Sequence, residues 1–290
     1  MNSKKNILVT GGLGFVGSNL VDKLVKLKNN NVYVLDNLSS ISCSINYKNK
    51  DANYIIQDIR NINNIKNLPN IDTVFHLAGL ARIQPSFDDP LEYIDVNIKG
   101  TASVCQFVKD NNARLVYSSS SSINNGEYKT PYTFSKWAGE EVLNTWIECY
   151  KINASTCRFY NVYGFREPED GEYATVVRKF IRKYNNNESL TVVGDGEQRR
   201  DFTNVCDIVD GLIQVAKQED IGSVFHLGRG VNYSINELVK FFPKAIIEYV
   251  SLRKGEGQIT LADYSLTFEK IGWKAKSNLE NFIKNTIKQK

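Results

Sequence analysis

Histidine is nearly absent, with two residues in 290, and the five cysteines are odd in number, widely spaced and without a C-x-x-C pair. Neither a Cys/His zinc site nor a disulfide framework is expected, and the chain reads as a reduced, intracellular protein. No apolar run approaches the ~18–20 residues needed to cross a bilayer, so no membrane partner is expected. Neither sign of charge dominates: 36 basic and 32 acidic residues leave a net charge of +4, spread along the chain. That balance is too mild for a nucleic-acid reader but tolerates an anionic small substrate. Asn6-Ile7-Leu8-Val9-Thr10 reads as a buried strand close to the start, so no removable leader is expected and cytoplasm is the default location. Internal repeats and low-complexity linkers are lacking too; Asn29-Asn30-Asn31 and Asn185-Asn186-Asn187 read as loops.

What is present is the pattern of a layered α/β protein. Ile7-Leu8-Val9, Val32–Leu35, Tyr54–Ile56, Thr73–Leu77 and Arg114–Tyr117 are short, continuous apolar runs, and Ser155–Phe159 looks like a sixth strand. Continuous rather than alternating apolar runs suit strands covered on both faces, as in a parallel sheet. The β/α alternation implies a doubly wound (Rossmann) sheet with right-handed crossovers. One helix carries Thr101, Val104, Cys105 and Val108 on one face; another carries Gly139, Val142, Leu143, Trp146, Ile147 and Tyr150. Residues 1–163 with 203–227 are expected to form the sheet domain, and 164–202 with 228–290 a smaller C-terminal α/β lobe.

The first strand runs into Thr10-Gly11-Gly12-Leu13-Gly14-Phe15-Val16-Gly17-Ser18 and then into a helix starting near Phe15. Gly11, Gly14 and Gly17 stand where a turn must be tight, where backbone must approach a pyrophosphate, and where helix packs closely on strand. The helix N-terminus presents free N–H groups and partial positive charge to phosphate. Asp36 ends the next strand, 19 residues beyond Gly17, where a carboxylate accepts from both ribose hydroxyls and repels a 2′-phosphate. Asn37-Leu38 offers no arginine for NADP, so the cofactor is expected to be NAD.

The strand Leu115–Tyr117 empties into five serines, Ser118–Ser122, at the edge where open α/β sheets bind ligands. Pro131 suits a helix start, and Tyr132 and Lys136, four apart, point from the same helix face. A tyrosine titrates near ~10 and is a poor base at neutral pH, but an adjacent lysine cation favours its phenolate. Tyr132 as base, tuned by Lys136, with Ser120 holding the substrate oxygen, is the expected catalytic set.

With these motifs the chain resembles the extended short-chain dehydrogenase/reductase family, and within it the NAD-dependent nucleotide-sugar epimerases. The resemblance covers nearly the whole chain. It rests on the glycine loop, Leu35-Asp36-Asn37-Leu38, Gln57-Asp58-Ile59-Arg60, His76-Leu77-Ala78-Gly79, Asn97, and the set Ser120, Tyr132 and Lys136. It implies cofactor contacts from Phe15, Val16, Asn37, Asp58, Ile59, Leu77, Ala78, Gly79, Asn97, Ser118 and Phe159, besides Tyr132 and Lys136. Arg158–Gly164 resembles the segment whose asparagine, here Asn161, touches the substrate diphosphate. Gly194–Phe202 resembles the segment carrying a nucleotide-binding arginine, here Arg200. Arg253-Lys254-Gly255-Glu256 resembles a second diphosphate arginine with its loop. Arginines suit phosphate oxygens because their bonds are charge-assisted and often bidentate.

Eleven residues separate Ser120 from Tyr132, fewer than is usual for the family, and Asn124 and Asn125 replace its usual tyrosine and glycine. That segment normally walls the sugar pocket. Elimination at C5 and C6 needs an acid and a base on the serine strand, where this chain has serines; Ser122 also stands where decarboxylating relatives carry glutamate. The resemblance therefore implies C4 epimerisation of a UDP-hexose (UDP-Glc/UDP-Gal) through a 4-keto sugar. Thr260, small where family members limited to plain hexoses carry tyrosine, extends the expectation to UDP-GlcNAc and UDP-GalNAc. Two rival readings are a reductase of a 4-keto nucleotide sugar and a non-catalytic NAD-binding regulator. A homodimer is expected through the helices matching 94–111 and 132–150.

Overall fold

The computed structural model describes residues 4–288 apart from 40–42, 172, 253 and 256. The chain begins β1 (Lys5–Thr10), α1 (Phe15–Lys26), β2 (Asn30–Asp36), β3 (Ala52–Ile56), β4 (Thr73–His76), α2 (Gln84–Asp88), α3 (Pro90–Ile94), α4 (Gly100–Asn111), β5 (Arg114–Ser120), α5 (Pro131–Tyr150), β6 (Asn153–Phe159) and β7 (Val162–Tyr163). It continues α6 (Val176–Asn185), β8 (Leu190–Val193), β9 (Arg199–Asp201), β10 (Thr203–Asn204), α7 (Val205–Val215) and β11 (Val224–Leu227). The last elements are β12 (Asn232–Ser234), α8 (Ile235–Val239), β13 (Ile247–Val250), α9 (Ser265–Ile271) and α10 (Leu279–Thr286). Among the described residues, no helix is long and apolar enough to cross a membrane.

Seven strands form one all-parallel sheet in the order β3-β2-β1-β4-β5-β6-β11. The order reverses between β1 and β4, and that switch point opens a crevice outside the carboxyl ends of the strands. Successive residues of β1 serve opposite layers, as the pleat demands. Ile7 and Val9 pack with Leu20, Val21 and Leu24 of α1 and Ile208 and Leu212 of α7. Leu8 packs on the other side with Val104 and Val108 of α4, Leu115, Tyr117 and Leu143. Each such fully buried side chain contributes about 1.5–3 kcal/mol.

A separate core forms the lobe. Val177, Phe180, Ile181 and Tyr184 of α6 meet Leu190 and Val192 of β8, Leu238 of α8, and Leu279 and Ile283 of α10. One stretch departs from the expected division of the chain. Residues 262–276 leave the lobe and return to the sheet, where Trp273, 2% exposed, joins the α7 layer and donates Nε1–H to the Asp207 carbonyl (3.0 Å). An indole buries more apolar area than most side chains and needs a partner for its N–H; α7 supplies both.

Candidate active site

The glycine loop is shaped by close approach. A Cβ on Gly17 would lie 2.1 Å from the Gly11 carbonyl oxygen, and one on Gly11, whose φ is +70°, would lie 2.6 Å from the Ala78 nitrogen. Only glycine fits either place, and the result is a cradle in which α1 starts directly behind the turn. The Asp36 carboxylate is braced at the end of β2 by the backbone N–H groups of Leu13 (2.9 Å) and Leu38 (2.8 Å). Asn37 donates to Asp58 (2.8 Å), and the Arg60 guanidinium holds the Asp58 carboxyl below its ordinary range. Residues 165–166 form a strap against the first turns of α1. Asn19 Nδ2 donates to the Phe165 carbonyl (2.9 Å), and Arg166 pairs with Asp22 (2.9 Å).

β5 runs further than its apolar core suggests, so Ser118, Ser119 and Ser120 belong to the strand. Ser118 donates to the His76 carbonyl (2.8 Å), and Ser120 caps the short turn that follows, accepting from Ser122 N (3.2 Å). The short loop to Tyr132 is anchored sideways. Asn124 donates to the Tyr160 hydroxyl (2.9 Å) and accepts from Arg158 (3.0 Å), and Asn125 lines the cavity. The loop therefore does not drag the strand end away from α5.

α5 starts at Pro131 with Thr130 as its cap, accepting from Thr133 N (3.0 Å). It packs on β5 at Gly139, where a Cβ would meet the Tyr117 hydroxyl at 2.3 Å. That approach carries Tyr132 and Lys136 to the mouth of the sheet. The Lys136 ammonium donates to the Ser118 carbonyl (2.7 Å) and lies 5.0 Å from the centre of the Tyr117 ring. Burial pulls its pKa down to about 8, against the opposing Glu140 charge.

Burial raises the Tyr132 phenol above its ordinary value; the Ser120 hydroxyl and then the Arg82 charge act in the opposite direction. Arg82 is thus a second cation near Tyr132, one that the sequence reading missed. Neither histidine competes for the role of base. His76 is buried between the hydroxyls of Thr10 (2.8 Å) and Thr101 (3.1 Å), its pKa depressed to about 3 mainly by burial. His226 is bound to the Tyr160 hydroxyl (2.7 Å).

These groups surround one cavity of about 760 Å³. Its walls include Gly11, Gly14, Phe15, Val16, Gly17, Asp36, Asn37, Asp58, Ile59, Leu77, Ala78, Gly79, Ser118 and Phe159 on one arm. Ser120, Tyr132 and Lys136 stand at the bend, and Asn161, Arg200 and Thr260 line the far arm. Arg253 lies outside the described residues. Asn97 is not among the wall residues: it sits in a π-helical turn (Asp95–Lys99), buried behind the loop after β4. Its amide is taken up by Leu80 N (2.8 Å), Leu80 O (3.0 Å) and Ser135 (2.9 Å), so it braces that loop. Asn161 and Thr260 are joined, the amide donating to the Thr260 hydroxyl (2.9 Å) and to the Asp201 carbonyl (3.0 Å). The Thr260 hydroxyl also accepts from Asp201 N (3.1 Å), so this small residue ties three segments together as well as leaving space.

The glycine cradle and the braced carboxylate fit a dinucleotide, its pyrophosphate at the start of α1 and its adenosine ribose against Asp36. Among the described wall residues the carboxylates are Asp36, Asp58 and Asp170, and none stands on the serine strand. The site thus holds a proton-transfer group at its bend but no acid–base pair for elimination.

Comparison with known proteins agrees with this geometry. The NAD dependent epimerase/dehydratase family matches residues 7–228. A crystal structure of a UDP-glucose 4-epimerase with UDP-glucose from Thermotoga maritima is 31% identical, with 97% of each chain covered and a TM-score of 0.91. A UDP-N-acetylglucosamine 4-epimerase from Methanobrevibacter ruminantium, solved in complex with UDP-N-acetylmuramic acid, is 33% identical, covering 98% of this chain and 97% of that one, with a TM-score of 0.89. A Methanocaldococcus jannaschii protein carrying a provisional UDP-glucose 4-epimerase name is 31% identical over 97% of both chains. With its match spanning the sheet from β1 to β11 and its two-armed cavity at the switch point, the chain belongs to the NAD dependent epimerase/dehydratase family.

Proposed function

We propose that the chain catalyses NAD-dependent C4 epimerisation of a UDP-hexose through a 4-keto intermediate. The observation that carries this reading is Tyr132, beside Ser120 and Lys136, at the bend between a dinucleotide cradle and a second arm lined by Asn161 and Arg200. The absence of a carboxylate from the described part of the serine strand favours epimerisation over dehydration or decarboxylation.

Tyr132 takes the proton from the sugar 4-hydroxyl while Ser120 holds that oxygen by hydrogen bond. Held in this cradle, NAD would supply the hydride acceptance and return at C4 that epimerisation needs. Gly11, Gly14, Phe15, Val16 and Gly17 hold the pyrophosphate, and Asp36 and Asn37 the adenosine ribose. Asp58, Ile59, Leu77, Ala78 and Gly79 line the adenine and pyrophosphate path. Ser118, Lys136 and Phe159 close around the nicotinamide end, Lys136 also binding its ribose. Arg200, Arg253 and Asn161 grip the UDP diphosphate while the sugar turns over, and Tyr132 returns its proton to O4. No carbon is oxidised overall, so the cofactor would end each cycle in the oxidised form in which it began.

A homodimer through α4 and α5 is part of this reading, supported by the exposed Leu91 and Ile94 next to those helices. A cytoplasmic setting is supported by five cysteines, none in a disulfide.

The deciding experiment is a proton NMR time course with UDP-glucose and with UDP-GlcNAc, without added cofactor. Appearance of the C4 epimer is the expected outcome, and turnover of UDP-GlcNAc would place both sugars within reach of the Thr260 pocket. Stoichiometric consumption of added NADH with a 4-keto sugar, and no epimer, would make the enzyme a reductase instead.

A further inference from the structure

Arg82 lies in the loop after β4, outside every motif discussed above, and its backbone φ is +90°. A non-glycine residue there is strained by roughly 1–3 kcal/mol, and such strain concentrates at ligand-binding positions. The side chain is fixed at the cavity wall. Nε and Nη2 both donate to the Tyr173 carbonyl, at 3.0 and 2.8 Å. Two of five N–H donors are thereby used, and Nη1 has no hydrogen-bond acceptor among the described residues. No carboxylate of the described residues lies within ion-pair distance of this guanidinium. The nearby Glu167 is buried, with one oxygen accepting from Gly164 N (3.1 Å) and the other without a partner. Burial pushes that carboxyl up to about 8, so at neutral pH it is largely uncharged and no counter-ion.

A cation on the cavity wall with no carboxylate of the described residues paired to it is suited to an anionic group of a ligand. Its position tells which part of the ligand carries that group. The cofactor pyrophosphate has the glycine cradle, and the substrate diphosphate has the arm with Arg200. The carbonyl of the preceding Ala81 accepts from the Tyr93 hydroxyl (2.8 Å), and the Tyr93 ring meets Tyr132 edge-on with centroids 6.2 Å apart, so Arg82 stands on the Tyr132 side of the cavity, near the sugar carbon that reacts. An anionic group reaching it there must be carried by the sugar ring, and a carboxylate on C5 is only two bonds from C4.

Resting on the epimerase reading above, we propose that Arg82 is a subsite for a carboxylate borne by the sugar, and that the chain selects a UDP-uronic acid over a neutral UDP-hexose. The guanidinium meets the carboxylate through charge-assisted bonds and fixes the ring against Tyr132.

The test compares UDP-glucuronate with UDP-glucose in the wild type, Arg82→Gln and Arg82→Lys. It reads epimer formation by NMR, affinity by calorimetry, and bound NAD by absorbance after denaturation. The wild type is expected to favour the uronate by at least about 10-fold in kcat/KM. Arg82→Gln should lower kcat/KM for the uronate by about 10- to 100-fold more than for glucose, the scale of one charge-assisted hydrogen bond. Arg82→Lys should recover part of the loss, and NAD content should hold. A wild type that favours glucose overturns the proposal. So does an Arg82→Gln variant that loses both sugars equally, or one that loses NAD, which would assign the arginine to a cofactor phosphate. Tighter uronate binding that Arg82→Gln abolishes, with no epimer formed from either sugar, would uphold the subsite and refute the epimerase reading.

Discussion

At the scale of single residues, the reacting end of the cavity is built from groups whose pKa values are shifted from their ordinary ones. Lys136 is depressed, Tyr132 raised, and Glu167 raised to about 8, each mainly by burial. Glu167 makes this measurable as stability. An acid whose folded pKa lies above its unfolded value of 4.5 holds a proton in the folded state that the unfolded state has lost. Its contribution is unaffected below about 4.5 and turns increasingly unfavourable as pH rises towards 8. Glu167→Gln, with no charge to bury, should match the wild type at pH 4.5 and exceed it by about 1–3 kcal/mol at pH 8. Urea titrations at both pH values check this; a constant difference would mean that the carboxyl does not titrate in this window.

At the scale of elements, the proposed catalytic pair Tyr132 and Lys136 depends on how α5 begins. Thr130 accepts from Thr133 N and shares a hydrogen bond with the Thr133 hydroxyl (2.8 Å), which sets the first turn that carries Tyr132. Thr130→Ala should cost about 1 kcal/mol, seen as a lower urea midpoint with unchanged slope, and should lower kcat more than it raises KM. Much of this local order could be read in advance. Pro131 announced the helix start, the tyrosine–lysine interval placed both side chains on one face, and the glycine loop followed by Asp36 announced the cradle. Those signals are legible because they depend on residues close together in the chain. The role of Arg82 depends on Tyr173, 91 residues away, and on a positive φ that no local pattern marks. The partners of Asn97, the loop after β4 and Ser135, were likewise not legible, because only the fold brings them together.

For the whole molecule, the sheet layers and the lobe are separate cores, and the C-terminal stretch links them by returning to α7. Trp273→Ala should destabilise the protein by about 3–5 kcal/mol even though the residue is no part of the cavity wall. A urea midpoint near the wild-type value would show that the stretch contributes little to the sheet. The doubly wound parallel sheet was legible from β/α alternation, but this return was not, because a single tryptophan after a helix carries no period. The strap formed by Phe165 and Arg166 has a consequence at this scale. Asn19 and Asp22 tie it to the same helix that starts behind the glycine cradle, so the strap steadies the first turns of α1. In the proposed cycle the dinucleotide, seated in that cradle and returned to its starting form at every turnover, behaves as a built-in part of the catalyst rather than a circulating reagent. The rate of sugar interconversion would then be insulated from swings in the cell's NAD/NADH ratio, following only the supply of nucleotide sugar.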